Sequence, residues 1–182
     1  MKRILISMMM LSSMLLAGCR DNREVRIFHA QWVFYGTFDA MAERATDVVR
    51  AEILSSTLGE RWGGYQTIYE VRILEVFQGD LQIGDKIELA QLGGESAYRI
   101  TINLEKIPIE IGDDLVLFLL NNDPTTPAGL LHQGAYRLSE SLESDEKMDA
   151  SIELIPIVPE GMNFRRFHIT VKELWGLREQ WF

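Results

Sequence analysis

Disulfides, cysteine-rich metal sites and a basic surface are all missing from this chain. Its 182 residues include a single cysteine, Cys19, which excludes an internal disulfide framework and any Cys-rich zinc site. Lys and Arg number 18 against 27 Asp and Glu, a net charge of −9. That balance argues against nucleic acid as a partner, because such binding needs a basic face to displace counterions. Five Pro and 14 Gly exclude a collagen-like or low-complexity chain, and 47% hydrophobic residues are too many for a disordered one. Histidine is scarce as well. His29, His132 and His168 lie far apart with no paired-ligand spacing, so they read as satisfied or solvent-facing, and neither a metal nor a cofactor is expected. No Gly-x-Ser-x-Gly elbow and no internal repeat occur. The length suits one domain, for which burying about 70% of the unfolded surface is normal.

What is present begins at the amino terminus. Lys2 and Arg3 precede an apolar run, residues 4–17, broken only by Ser7, Ser12 and Ser13. The run is shorter than the roughly 20 residues that span a bilayer, so it reads as a secretory signal. It ends in Leu16-Ala17-Gly18-Cys19, an aliphatic residue and two small ones before the only cysteine. This stretch resembles the lipobox of bacterial lipoproteins. The resemblance implies diacylglyceryl transfer to Cys19, cleavage between Gly18 and Cys19, and acylation of the new amino terminus, including by palmitate. It also implies a cell-envelope location on the extracytoplasmic side, with the membrane as partner through acylated Cys19. In a Gram-negative envelope it implies the outer membrane, because Asp21 stands third from Cys19 and Arg20, not Asp, stands second. Loss of residues 1–18 removes two basic residues and no acid, which deepens the net charge to −11. Anionic headgroups repel such a domain, so the acyl chains must hold it there.

Along the mature chain, residues 27–36 (Ile27, Phe28, Trp32, Phe34, Tyr35) read as an extended arm. Thr37 offers an N-cap for a helix with Phe38, Met41, Ala42 and Ala45 on one face. Residues 47–54 read as a strand and 55–64 as a polar loop. Period-two alternation follows, with Thr67, Tyr69, Val71, Ile73 and Phe77 on one face and Gln66, Glu70 and Arg72 on the other. The glycines and aspartates at 79–80 and 84–85 mark a hairpin into residues 86–91. Weaker strands are expected at 98–102, 129–138, 152–158 and 164–169, with Gly134 at a bulge or close approach. The continuous apolar run 115–120 suits a strand covered on both faces. Thr170 and Glu173 match a capping box, with Val171, Leu174, Trp175 and Arg178 on one face of a final helix.

These elements predict a mainly β fold: six or seven strands in a small antiparallel, OB-like barrel with a short helix near each end. Residues 1–18 form the signal peptide, 19–36 the anchor and arm, and 37–182 a single β-rich domain. Three stretches, residues 45–51, 76–85 and 111–119, resemble a pattern in uncharacterised secreted bacterial proteins. Their order is also similar to the netrin-like OB barrel of tissue inhibitors of metalloproteinases. The paired cysteines of that family are absent here, and an acylated Cys19 could not chelate a protease zinc through its amine, so that activity is not implied.

Two function classes follow. One is a lipid-anchored binding or interaction domain without catalytic activity, with a protein partner in the envelope. The other is a small envelope hydrolase whose carboxylates are distant in sequence. Turn chemistry accounts for the aspartates at 80 and 85 without calcium, because the EF-hand ligand order is missing. The acidic stretch 139–150 reads as a solvated loop or a docking site for a basic partner. The aromatic arm and Trp175, Trp181 and Phe182 read as core or lid, with a sugar platform as the alternative. A deep pocket with convergent carboxylates or a His–acid pair would favour the hydrolase.

Overall fold

The computed structural model describes residues 23–28, 34–61, 64–120, 125–139, 151–159 and 167–181, the side chains of 61 and 178–181 excepted. Gly18, Cys19, His29, Trp32, Phe182 and the acidic residues 140–150 therefore lie outside the described residues.

Strand β3 (Gly64–Gln78) organises the molecule. Its alternation buries Tyr69, Val71 and Ile73 on one face. It pairs antiparallel with β2 (Asp47–Arg61) on one side and β4 (Lys86–Leu92) on the other. Strand β7 (Asp114–Leu120) lies antiparallel to β2, and β8 (Ala128–Leu138) antiparallel to β7. The ring closes where β8 meets β4 through Leu89–Ala128 and Ala90–Gly129, a short parallel seam in an otherwise antiparallel barrel. The order β2-β3-β4-β8-β7 and back to β2 makes a five-stranded ring of the OB kind. Two short strands, β9 (Glu153–Pro156) and β10 (Ile169–Thr170), extend the sheet beyond β8.

Strand β7 shows why an unbroken apolar run is needed. Leu115, Leu117 and Leu119 point into the barrel with Val49, Ala51, Ile53, Val71 and Leu89. Val116 and Phe118 point outward into a second core. There they meet α1 (Phe38–Arg44) and α2 (Val171–Trp181) through Met41, Ala42, Val171 and Leu174, with Trp175 packed against the edge. The rings of Phe38 and Tyr136 stand edge-on to Phe118 at 5.9 and 5.8 Å. Gly134 sits opposite: a Cβ there would lie 2.9 Å from the Cβ atoms of Phe118 and Leu131, so the close approach permits only glycine.

Local chemistry fixes the connections. Thr37 Oγ1 accepts from the Ala40 amide at 3.2 Å, capping α1 as its sequence indicates. Gln78 Nε2 donates to the carbonyls of Ala42 and Ala45 at the other end of that helix. Gly79 has φ +101°, and a Cβ there would collide with Asp47 Oδ1, the acceptor for the Asp80 amide. Asp85 is used within its own turn, accepting from the Gln82 amide at 2.9 Å. At α2, Glu173 accepts from both the amide and the hydroxyl of Thr170, so the expected capping box forms only its backward half.

Four sequence expectations need correction. Residues 55–61 are the second half of β2, not a loop; a bulge between Ile53 and Ser55 interrupts the alternation that would reveal them. Thr67 is only half-buried, whereas Gln66 on the supposedly polar face is buried. In the region read as a strand at 164–169, Phe167 and His168 are not strand and β10 spans only Ile169–Thr170; residues 164–166 lie outside the described residues. Ten strands form among the described residues rather than six or seven: β1 (Glu24–Phe28) and β5 (Gly94–Glu95) were not expected, and with β6 (Arg99–Asn103), the strand expected at 98–102, they build a separate sheet in the order β1-β6-β5, with β1 parallel to β6.

Candidate functional site: an open cleft on the barrel wall

Past its bulge, β2 continues beside β3 and β4 as part of a three-stranded wall. Register sets the outward side chains in rows. Ser55, Glu70 and Glu88 form one row across β2, β3 and β4; Thr57, Ile68 and Ala90 form the next. Lys86 enters from the row of Arg72. Together with Ile87 these residues, Arg72 and Ala90 excepted, line an open cleft of about 490 Å³. Ile68 and Ile87 are its apolar lining, and the remaining residues carry two hydroxyls, two carboxylates and one ammonium.

The charges on this wall are arranged unequally. Asp114 receives Arg50 through Nε at 3.0 Å and Nη2 at 2.6 Å, and Arg72 pairs with Glu52. Lys86 Nζ meets Glu70 Oε1 at 2.7 Å. Two acid pairs face each other across neighbouring strands: Glu52 with Asp114, and Glu70 with Glu88. Like charges directly opposite are destabilising. In the first pair each acid has its own arginine. In the second, Glu70 has Lys86, and Glu88 has no ion pair or hydrogen bond among the described residues.

The histidines do not assemble a catalytic group. His132 is buried on β8, edge-on to Phe34 at 5.4 Å, and burial pushes its pKa down against the opposing charge of Glu105. His168 is exposed near the start of β10. No group of three or more potential metal ligands occurs among the described residues. Lys106, its pKa lowered by burial, donates to Thr67 Oγ1 at 2.6 Å and lies over the Tyr69 ring. Gln91 exchanges two hydrogen bonds with the backbone of Ile107. These contacts hold Ile107 and Ile109 as a plug in the barrel interior.

Sequence reasoning placed Glu70 on an outward strand face but missed the cleft. Ser55 and Thr57 looked like loop residues, and the Glu70–Glu88 opposition follows only from register. The available signal was the hairpin itself, since pairing residues 66–78 with 86–91 across its turn brings 70 opposite 88. Among the described residues, no helix is long and apolar enough to cross a membrane. No family model, curated protein or solved structure matches the chain.

Proposed function

We propose that this protein is a lipid-anchored, non-catalytic binding domain on the extracytoplasmic side of a bacterial envelope, tethered through acylated Cys19. Its wall cleft takes a basic, extended segment of an envelope protein. The observation that carries the binding role is Glu88: a carboxylate in a cleft, opposite a second carboxylate, with no cation of its own among the described residues. A ligand ammonium or guanidinium beside Glu88 relieves that opposition, and Ser55 and Thr57 offer hydroxyls to its backbone. The lipobox supports the tether, and the acidic net charge supports a basic partner.

The anchor is tested by Cys19→Ser, which converts a detergent-phase protein into an unprocessed or soluble one; unchanged partitioning refutes it. The site is tested with a lysine-rich pentapeptide followed by amide chemical shifts. Shifts centred on Thr57, Ile68 and Glu88 that weaken in Glu88→Gln support the cleft, and shifts elsewhere or none refute it. The same variant carries a stability signature. Removing the like-charge opposition should raise unfolding free energy by about 0.2–1 kcal/mol in a urea titration.

The alternative, a carboxylate-based hydrolase, rests on the same facing pair. Acid catalysis by a carboxyl needs desolvation, yet the Glu70 side chain is 44% exposed and Glu88 lies open to solvent. The cleft is therefore read as a docking site.

A further inference from the structure

We infer that the outer face of the β1-β6-β5 sheet lies on the bilayer and sets the orientation of the barrel; this rests on the anchoring reading above. The sheet is amphipathic in the inverted sense. Its inner face is polar but for Phe28 and packs on the β2–β3 hairpin: Arg99, paired with Glu24 at 2.9 Å, reaches Glu60 at 3.2 Å, Thr101 Oγ1 accepts from the Tyr65 amide, and the Phe28 ring lies over Gly64. Register places Val25 beside Ile100 and Ile27 beside Ile102 on the opposite face. Val25 and Ile27 are 54% and 57% exposed, and Tyr98, next to this face, is 82% exposed. Contiguous exposed apolar side chains mark an interaction surface, and a tyrosine at its rim suits the headgroup level.

The chain itself selects the occupant. Cys19 and Arg23 are four Cα steps apart, about 14 Å at full extension. The Glu24 amide donates to the Tyr98 carbonyl at 3.0 Å, and Arg23 pairs with Glu95, so the sheet begins where the tether ends. A gap that narrow admits lipid but not a folded partner domain. The local charges also cancel: Arg23 and Arg99 are matched by Glu95 and Glu24, so this end escapes the repulsion that the acidic domain as a whole feels from anionic headgroups. The β3–β4 turn, with Ile83 72% exposed, lies at the other end of a 15-residue strand, up to about 45–50 Å away along its path. The acyl chains supply the attachment, and the sheet decides which end faces the lipid.

The test uses the lipidated full chain in phosphatidylethanolamine–phosphatidylglycerol vesicles. Acylation consumes the Cys19 thiol, so a single nitroxide can be placed on Ile27→Cys, Tyr98→Cys or Ile83→Cys, all exposed positions that tolerate exchange. Flotation with the vesicles reports the anchor, and collision rates with oxygen and a nickel chelate report the face. The proposal expects flotation in all three. It also expects several-fold more oxygen collision and less chelate collision at 27 and 98 than at 83. Flotation with equal chelate access at all three positions overturns the orientation while leaving the anchor standing. Flotation with dipolar broadening at 27 or 98 that vanishes on dilution with unlabelled protein shows a second copy on the face and also overturns it. Absence of flotation overturns the anchor and the orientation together.

Discussion

Two apolar sheet faces in this protein meet different fates. The outer face of β7 and β8 carries Val116, Phe118, Leu131 and Tyr136, all buried beneath α1 and α2. The outer face of the β1-β6 pair carries Val25, Ile27, Ile100 and Ile102, of which Val25 and Ile27 remain more than half exposed. Strand β7 is almost wholly apolar, whereas β1 and β6 alternate polar and apolar residues, yet each outward row taken alone is apolar. The covered face has helices supplied by the same chain, with Thr37 and Gln78 holding the two ends of α1 and Glu173 accepting from Thr170 at the start of α2. The sheet that bears the bare face turns mostly polar residues inward, so its attachment to the barrel depends on ion pairs and hydrogen bonds beside the apolar contact of Phe28 over Gly64. A sheet built that way gains little for the fold from its apolar side, and interaction is the physical use left for it.

The largest break between the two faces should come from Phe118→Ala. The ring is fully buried between Phe38 and Tyr136, and losing a buried Phe costs about 3–5 kcal/mol of a total near 5–15 kcal/mol. The urea midpoint should fall sharply. A small shift would mean that the helices do not cover β7 in solution.

A second test concerns the thinner edge of the covered side, where Phe34 and Tyr35 lie over β8. Phe34 is 59% exposed, and the Tyr35 amide donates to Gln133 Oε1 at 2.7 Å. Burial holds the His132 pKa below its ordinary value of about 6.5. The unfolded chain therefore binds this proton more readily than the native one. Stability is full above the unfolded value and declines as pH falls below it, down to the lowered native value. Urea titrations between about pH 7 and 5 should show that decline, with a shallower slope in His132→Gln. The slope is the readout, since the substitution also changes packing. Equal slopes would show that water already reaches the imidazole.

Legibility in the sequence followed locality. The apolar run 115–120, the alternation of Tyr69, Val71 and Ile73 and the Thr37 cap depend on neighbours a few residues away, and each was readable; the alternation failed at its ends, where Gln66 is buried and Phe77 joins the outer core. The second half of β2 was not. Its Ser55-Ser56-Thr57 and Gly59 resemble loop chemistry because the strand there is half-exposed or exposed and the bulge has broken its period. Strand β1 alternates visibly, Glu24 and Arg26 against Val25 and Ile27, yet its partner is β6, 75 residues away in parallel register. Nothing local announces such a pairing, and nothing local says that its polar side turns inward. The cleft was hidden for the same reason, since it joins β2, β3 and β4 by register alone.

The smallest expected effect is the one that tests the bare face directly. Ile27 sits on β1 with its side chain 57% exposed, paired in register with Ile102, and no polar contact of the inner face runs through it. Ile27→Ser in the unanchored domain, residues 20–182, should change unfolding free energy by no more than about 0.5 kcal/mol, the range of ordinary surface substitutions. Part of that is the modest strand preference of a β-branched apolar residue over serine. The measurement is a urea midpoint beside that of Phe118→Ala under the same conditions. The two substitutions strip apolar side chains from outward sheet faces, so a naive count of hydrophobic residues expects comparable losses. Cover is what separates them: Phe118 loses a packed surround, whereas Ile27 loses contact mainly with water. A loss of 2 kcal/mol or more at Ile27 would mean that another part of the chain packs on this face, and the contrast between the two faces would collapse.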